Sequence, residues 1–212
     1  MDTFIFILEI IGTIAFASSG AMIAIEKKMD IFGVNVLGAT TAVGGGIMRD
    51  VILGLAPPTA FSKPVYILIA VVTSTILFAI AYVKMDAMRS ITKSEYYDRL
   101  MFWCDTAGLG IFTVVGIQTA SRMMQENNAF FFVFIGVLTG VGGGVLRDIM
   151  AGETPYILVK HIYACAAIAG GVVCVVSRNM LGSAAGILLG LAVTVLLRFL
   201  AAHFHWNLMR VQ

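Results

Sequence analysis

Long apolar runs, separated by short polar breaks, constrain this chain more than any other feature of its sequence. Each run is about 20 residues long, the length that an α-helix needs to cross a hydrocarbon core of roughly 30 Å. Charged residues make up 12% of the 212 residues, whereas an ordinary soluble domain has roughly 25%. We therefore expect a single all-α transmembrane domain over residues 1–212, lying in a lipid bilayer. Its predicted spans are 4–25, 32–56, 64–83, 101–121, 129–151, 156–177 and 182–200.

An internal repeat divides these spans into two sets. The heptapeptide at 44–50, Gly-Gly-Gly-Ile-Met-Arg-Asp, returns 98 residues later as Gly-Gly-Gly-Val-Leu-Arg-Asp at 142–148. Three residues of the first span also return 96 residues later: Glu9, Phe16 and Gly20 as Asp105, Phe112 and Gly116. Because each copy holds three spans, an odd number, the second copy enters the membrane from the opposite side. The sequence thus predicts a three-helix repeat at 4–83, an inverted repeat at 101–177 and an unrepeated seventh helix at 182–200.

Lysine and arginine residues are distributed unequally between the two sides of the predicted bundle. Such residues are enriched in the cytoplasmic loops of membrane proteins. One side holds nine of them: Lys27, Lys28, Lys84, Arg89, Lys93, Arg99, Lys160, Arg198 and Arg210. The other side holds three: Lys63, Arg122 and Arg178. We therefore expect a plasma-membrane protein with its amino terminus outside and its carboxyl terminus in the cytoplasm.

Glycine triplets lie in the middle of the second and fifth spans. Glycine costs about 1 kcal/mol of helix propensity relative to alanine, and each triplet begins about 12 residues, or roughly 18 Å, into its span. We expect both helices to break there and to expose backbone groups to a solute pathway. The alternative is structural, because glycine also lets two helices approach closely. The six glycines are Gly44, Gly45, Gly46, Gly142, Gly143 and Gly144.

Charged pairs, Arg49-Asp50 and Arg147-Asp148, follow the two triplets. A charge at the centre of a span costs at least about 2.5 to 3.5 kcal/mol, so we expect all four side chains to face the protein interior. We place both aspartates in the first turn of a restarted half-helix, where the helix dipole favours an anion. Neighbouring residues on a helix point about 100° apart. We therefore expect cross pairs, Arg49 with Asp148 and Arg147 with Asp50, or arginine contacts with carbonyls freed at the breaks.

Other polar residues in the spans carry weaker signals. Glu9 and Asp105 are candidate pore-lining residues, although each lies near enough to the end of its span for its side chain to reach the interface. His203 and His205 lack metal-ligand spacing, so we expect no metal and no cofactor. No catalytic motif follows the glycines, and we expect no enzyme. With a net charge of +2, we expect no nucleic-acid partner. A packing stripe is expected on the seventh helix at Gly182, Gly186 and Gly190.

The two copies of Gly-Gly-Gly-x-x-Arg-Asp, in a chain of seven predicted spans, resemble the bacterial and archaeal members of the trimeric intracellular cation channel (TRIC) family. The same sequences are also catalogued as a membrane family with a glycine transporter domain. The resemblance covers nearly the whole chain. It implies a symmetric homotrimer with a separate pore through each protomer, shaped by kinks at the two glycine triplets and passing monovalent cations, potassium above all.

Three functions are open on the sequence alone. The first is a cation channel, in which Glu9, Asp50, Asp105 and Asp148 attract cations and also neutralise the two arginines. The second is a carrier for glycine or another small zwitterion, because the amino termini of half-helices bind a carboxylate. The third is a scaffold that conducts nothing. These three functions predict different fluxes through a reconstituted bilayer.

Overall fold

The computed structural model of the chain describes residues 2–83, 95–124, 128–159, 162–204 and 206. Within these ranges the regular structure is helical: α1 Asp2–Glu26, α2 Ile31–Ile52, α3 Thr59–Ser62, α4 Val65–Val83, α5 Glu95–Met123, α6 Ala129–Met150, α7 Tyr156–Val159, α8 Ala164–Leu181 and α9 Ser183–His203. Seven of these helices are long and apolar enough to cross a membrane, and α3 and α7 are single turns. The predicted all-α membrane fold with seven spanning helices is confirmed. The sixth span begins later than predicted, because residues 156–159 form the separate turn α7.

The two halves of the chain pack in the same way. Helix α1 contacts α2 and α4, and α5 contacts α6 and α8 in the equivalent arrangement. The halves meet where α2 crosses α6 and where α1 packs on α5. The unrepeated helix α9 packs on α8 and α5. Large apolar side chains on the outer faces are exposed, as expected for helices in contact with lipid, among them Leu68, Ile76, Phe130 and Leu188.

Helices α2 and α6 begin and end with the same local interactions. Asp30 and Asn128 cap their amino ends by accepting hydrogen bonds from Gly33 N and Phe131 N, at 2.8 and 3.0 Å. Both carboxyl ends are closed by a glycine with positive φ, Gly54 at +73° and Gly152 at +71°. The N–H of Leu55 then donates to the carbonyl of Asp50 at 2.8 Å, which with the Gly54 bond forms a Schellman motif. Each helix therefore stops two residues after its Arg-Asp pair.

The predicted breaks at the glycine triplets are wrong. Both α2 and α6 are helical without interruption through residues 44–46 and 142–144. Asp50 and Asp148 consequently lie in the last turn of a continuous helix, and not in the first turn of a restarted one. The backbone groups of the triplets are hydrogen-bonded within their helices, so they are not available to a passing solute.

The triplets instead allow α2 and α6 to touch. A methyl group added at Gly45 would overlap the carbonyl oxygen of Thr139, and one added at Gly143 would overlap that of Thr41. The same group on Gly45 would also lie 3.2 Å from the backbone nitrogen of Gly143. Residues 44, 45 and 48 face residues 146, 143 and 142 in that order, so the two helices run antiparallel at the crossing. The structural alternative accounts for the central glycine of each triplet.

The predicted packing stripe on the seventh helix is present at two of its three glycines. Methyl groups added at Gly186 and Gly190 would lie 2.7 and 2.8 Å from backbone oxygens of α8. Gly182 lies between α8 and α9 with φ of +91°, a value that favours glycine. Several residues used in the sequence predictions lie outside the described residues: Lys84, Arg89, Lys93, Lys160, His205 and Arg210.

Candidate functional site

The first polar cluster comprises Glu9, Arg49, Asp50 and Tyr66. Arg49 Nε donates to Asp50 Oδ1 at 2.8 Å, and both side chains are buried. The second oxygen of Asp50 accepts a hydrogen bond from the backbone N–H of Thr59 at 2.7 Å, which ties α3 to the end of α2. The hydroxyl of Tyr66 on α4 donates to Glu9 Oε2. The carboxylate of Asp50 is thus fully engaged, whereas Glu9 has a neutral partner.

A cavity of about 40 Å³ lies against this cluster. One water molecule needs roughly 10 to 15 Å³ of such space, so the cavity has room for a few. Its polar lining comes from α1, α2, α3 and α4, and Phe112 on α5 is the largest of its apolar lining residues. The lining polar residues are Glu9, Thr13, Arg49, Asp50, Thr59 and Tyr66.

The second polar cluster repeats the first with a different partner set. Arg147 Nε donates to Asp148 Oδ1 at 2.8 Å, and Asp148 Oδ2 accepts from the backbone N–H of Tyr156 at 2.7 Å. Arg147 also donates to Asp105 Oδ1 at 2.8 Å and to the hydroxyl of Ser19. Arg147 is completely buried. This arginine is therefore held by two carboxylates, whereas a single carboxylate holds Arg49.

The predicted cross pairs, Arg49 with Asp148 and Arg147 with Asp50, are wrong. Each arginine pairs with the next residue in the chain. The long arginine side chain can fold back to its neighbour, and the aspartate is fixed by the N–H group of the following loop. Arg49 and Arg147 each lie four residues, about 6 Å, beyond the crossing of two antiparallel helices. The two pairs are therefore on opposite sides of that crossing, too far apart to exchange partners.

Two phenylalanines separate the clusters. The rings of Phe16 and Phe112, which are equivalent in the repeat, lie 5.3 Å apart and are buried. On α1, Thr13 lines the first cavity and Ser19 contacts Arg147. Phe16 lies midway between them, about 4.5 Å along the helix from each. The apolar Phe16–Phe112 contact thus lies between the two polar clusters.

A wider cavity of about 440 Å³ opens beyond the second cluster. Lys27 forms an ion pair with Glu153 at its rim. The other charged residues of the lining are all acidic: Glu26, Asp98 and Asp148. Asp148 is paired with Arg147, so the opening carries an excess of negative charge. Within the described ranges, no group of three or more His, Cys, Asp or Glu residues is suited to hold a metal ion.

Sequence comparisons identify relatives over almost the full length. A family model described as "Glycine transporter" matches residues 6–82 and 102–179. The UPF0126 inner membrane protein YadS of Escherichia coli is 37% identical over 207 residues, which cover 95% of this chain and 93% of YadS. The UPF0126 membrane protein YvgT of Bacillus subtilis is 34% identical over 202 residues, which cover 95% and 94% of the two chains.

Solved structures agree with these matches. A TRIC trimeric intracellular cation channel orthologue from Rhodobacter sphaeroides superposes with a TM-score of 0.86 and 30% identity, covering 96% of this chain and all of that one. The chain belongs to the TRIC family. A prokaryotic TRIC channel in 0.5 M KCl gives a TM-score of 0.85 and 31% identity over 98% of this chain and all of that one.

Sequence reasoning identified most of the charged groups in this TRIC chain but missed their partners. Tyr66 returns as Tyr163 97 residues later, and the two tyrosines lie beside Glu9 and Asp105 in the structure. This repeat was a sequence signal from which both tyrosines could have been predicted as partners of the acidic residues. Arg198 was counted with the basic residues that flank the spans, yet it is 2% exposed and lies within α9. Sequence reasoning counted its charge toward the orientation and did not identify it as a buried member of the second cluster. Without Arg198, the side of the predicted bundle with more basic residues holds eight of them against three.

Proposed function

We propose that this protein is a channel for monovalent cations, potassium among them, with one pathway inside each chain of a homotrimer. The pathway runs from the cavity at the first cluster, past Phe16 and Phe112 and the second cluster, to the wide cavity lined by Glu26 and Asp98. The similarity to solved TRIC cation channels over at least 96% of this chain supports the assignment.

Charge balance along this pathway is the observation that carries the proposal. Arg49 and Arg147 would repel cations if they were unpaired, but each is neutralised at 2.8 Å by its neighbouring aspartate. Glu9 then leaves the first cavity with one net negative charge. Acidic residues also outnumber Lys27 at the wide cavity. A cleft lined by one sign of charge concentrates the opposite ion, so both ends of the pathway favour cations.

The Phe16–Phe112 contact is the closed point of the pathway in this conformation. Apolar constrictions in channels gate by excluding water. Because the glycine triplets are packed against each other, opening requires a relative movement of α1 and α5 and not an unfolding of α2 and α6.

The wide cavity faces the cytoplasm in this proposal, with the amino terminus outside and the carboxyl terminus inside. The excess of basic residues on one side supports this orientation. Cys165 is exposed near the start of α8, at the predicted cytoplasmic side. A membrane-impermeant thiol reagent should modify Cys165 in inside-out vesicles and leave it unmodified in intact cells; the reverse result would invert the topology.

A carrier for glycine is the second candidate, favoured by the description of the family model. The binding site expected for that carrier required half-helix ends, and α2 and α6 are continuous. Purified protein in a planar bilayer with a potassium gradient separates the two functions. Discrete single-channel current steps support the channel. A silent bilayer together with saturable glycine uptake into liposomes would replace it with the carrier, and no flux of either kind would leave the non-conducting scaffold.

A further inference from the structure

The unrepeated helix α9 brings an arginine into the second polar cluster. The guanidinium carbon of Arg198 lies 4.7 Å from the ring centre of Tyr163 and 5.0 Å from that of Phe102. Its Nη2 is 3.8 Å from Asp105 Oδ2, the carboxylate oxygen that Arg147 does not use. Arg198 is 2% exposed. A cation from outside the repeat is therefore buried beside the acidic group of the second half.

The side chains of Arg198 and Asp105 are close to each other but are not joined by a hydrogen bond. Among the described residues, buried polar atoms without a hydrogen-bond partner are concentrated here: Asp105 Oδ2, Arg147 Nη2, Tyr163 Oη, and Nε and Nη2 of Arg198. Arg147 Nη2 still has an ion-pair contact with Asp148 Oδ1 at 2.8 Å. Leaving a buried charged group without hydrogen bonds is unfavourable. Because Nε and Nη2 of Arg198 have no hydrogen-bond partner, the residue is held mainly by its attraction to Asp105 and by the two aromatic rings.

The first half has no counterpart to Arg198. The residues that line its cavity carry one positive and two negative charges, on Arg49, Glu9 and Asp50. In the second half, two arginines face two aspartates and the charge is zero. The rings of Phe6 and Tyr66, equivalent to Phe102 and Tyr163, lie 6.2 Å apart and contact each other directly. In the second half the corresponding rings each contact the guanidinium group instead.

We propose that Arg198 is a built-in counter-ion that occupies the cation position beside Asp105 and keeps permeating cations out of the second cluster. This inference rests on the proposed function, because it assumes that cations use the pathway. A monovalent cation can occupy this position only after Arg198 has moved away from Asp105. No direct hydrogen bond has to break for this movement. It therefore costs less free energy than the release of Arg147, which is hydrogen-bonded to both Asp105 and Asp148.

Rubidium binding to the purified protein tests the inference without measuring flux. The variant Arg198→Gln should bind one more radioactive rubidium ion per chain than the wild type, at a saturable site. The double variant Arg198→Gln/Asp105→Asn leaves only the Arg147–Asp148 pair, so the second cluster has no net charge and should lose that extra site. Arg178→Gln, which removes an arginine from α8 outside both clusters, should bind rubidium as the wild type does. Gel filtration and circular dichroism confirm that each variant is folded.

Potassium currents of the same variants provide the second measurement. Arg198→Gln should raise the macroscopic current at least about fivefold, the low end of typical coupling between linked sites, and Asp105→Asn in the double variant should reverse most of the rise. A folded Arg198→Gln protein without the extra rubidium site overturns the inference. An equal rise in potassium current in the single and double variants also overturns it, because that result would mean looser packing and not the loss of a counter-ion. If rubidium binds as expected but no variant conducts, the counter-ion role stands and the channel function fails.

Discussion

Replacing Gly45 by alanine tests whether the glycine triplets serve contact or flexibility. The added methyl group has no room, because the carbonyl oxygen of Thr139 and the backbone nitrogen of Gly143 face Gly45 across the helix crossing. These are backbone atoms of a packed helix, so they cannot rotate away as the end of a side chain could. Overpacking of this kind typically costs 1 to 3 kcal/mol, occasionally more, and a clash with backbone places Gly45→Ala at about 3 kcal/mol.

Gly46 provides the matched control in the same triplet. A methyl group there would meet only Nη2 of Arg49, at 3.8 Å, an ordinary contact distance. Alanine also has a higher helix propensity than glycine by about 1 kcal/mol on the scale measured for soluble helices. We therefore expect Gly46→Ala to leave the free energy of unfolding unchanged or to raise it by up to about 1 kcal/mol.

Thermal unfolding in detergent micelles distinguishes the two variants. With roughly 2 to 4 °C of Tm per kcal/mol for a chain of this size, Gly45→Ala should lower Tm by about 6 to 12 °C, whereas Gly46→Ala should not lower it. If the triplet were a hinge that needs glycine flexibility, both variants would preserve the fold and both would reduce potassium current. Equal Tm values for the two variants, with equal loss of current, would refute the contact explanation.

Three other changes test the pathway and the helix ends. Phe112→Ala should remove the ring contact with Phe16 and raise the channel open probability in single-channel recordings. The control Phe134→Ala, at an exposed position, should not raise it. An unchanged open probability in Phe112→Ala would exclude Phe112 from the gate. Glu9→Gln should remove the net negative charge of the first cavity and so lower the potassium-over-chloride permeability ratio. The measurement is a shift of the reversal potential toward zero. An unshifted reversal potential would show that Glu9 does not select ions. Gly54→Ala should lower the stability of the purified protein by about 1 to 2 kcal/mol because its φ is +73°, and chemical unfolding in mixed micelles should detect that loss; wild-type stability would contradict it.

The sequence was sufficient to predict the helices and their duplication. Apolar length places the spans because the bilayer fixes how many residues a helix needs. The repeated heptapeptide aligned the two halves, and the contacts of Asp50 and Asp148 with the following loops are indeed the same in both. Helix ends were less accurate, since the capping by Asp30 and Gly54 depends on local backbone geometry that hydropathy does not report.

The glycine triplets and the charged pairs could not be assigned from the sequence alone. A helix propensity penalty of about 1 kcal/mol per glycine is compatible with a break or with a close contact, and only the position of α6 decides between them. Likewise, the partner of Arg49 depends on where Thr59 places its N–H group and on the separation of the two helices beyond the crossing. Both are tertiary properties, and neither leaves a trace in residue spacing.

Functional asymmetry in a duplicated fold must come from positions that the duplication does not preserve. The helix crossing, the Arg-Asp pairs and the capped ends are the same in both halves, so they build the pathway without distinguishing its ends. Thr13 lines a cavity in the first half, whereas its equivalent in the second half, Leu109, belongs to an apolar cluster. Arg198 has no equivalent at all. The first cluster therefore keeps one net negative charge beside its cavity, while the second cluster is neutral. Under the counter-ion proposal, this difference makes the contact between Arg198 and Asp105 a point of control that the first half lacks.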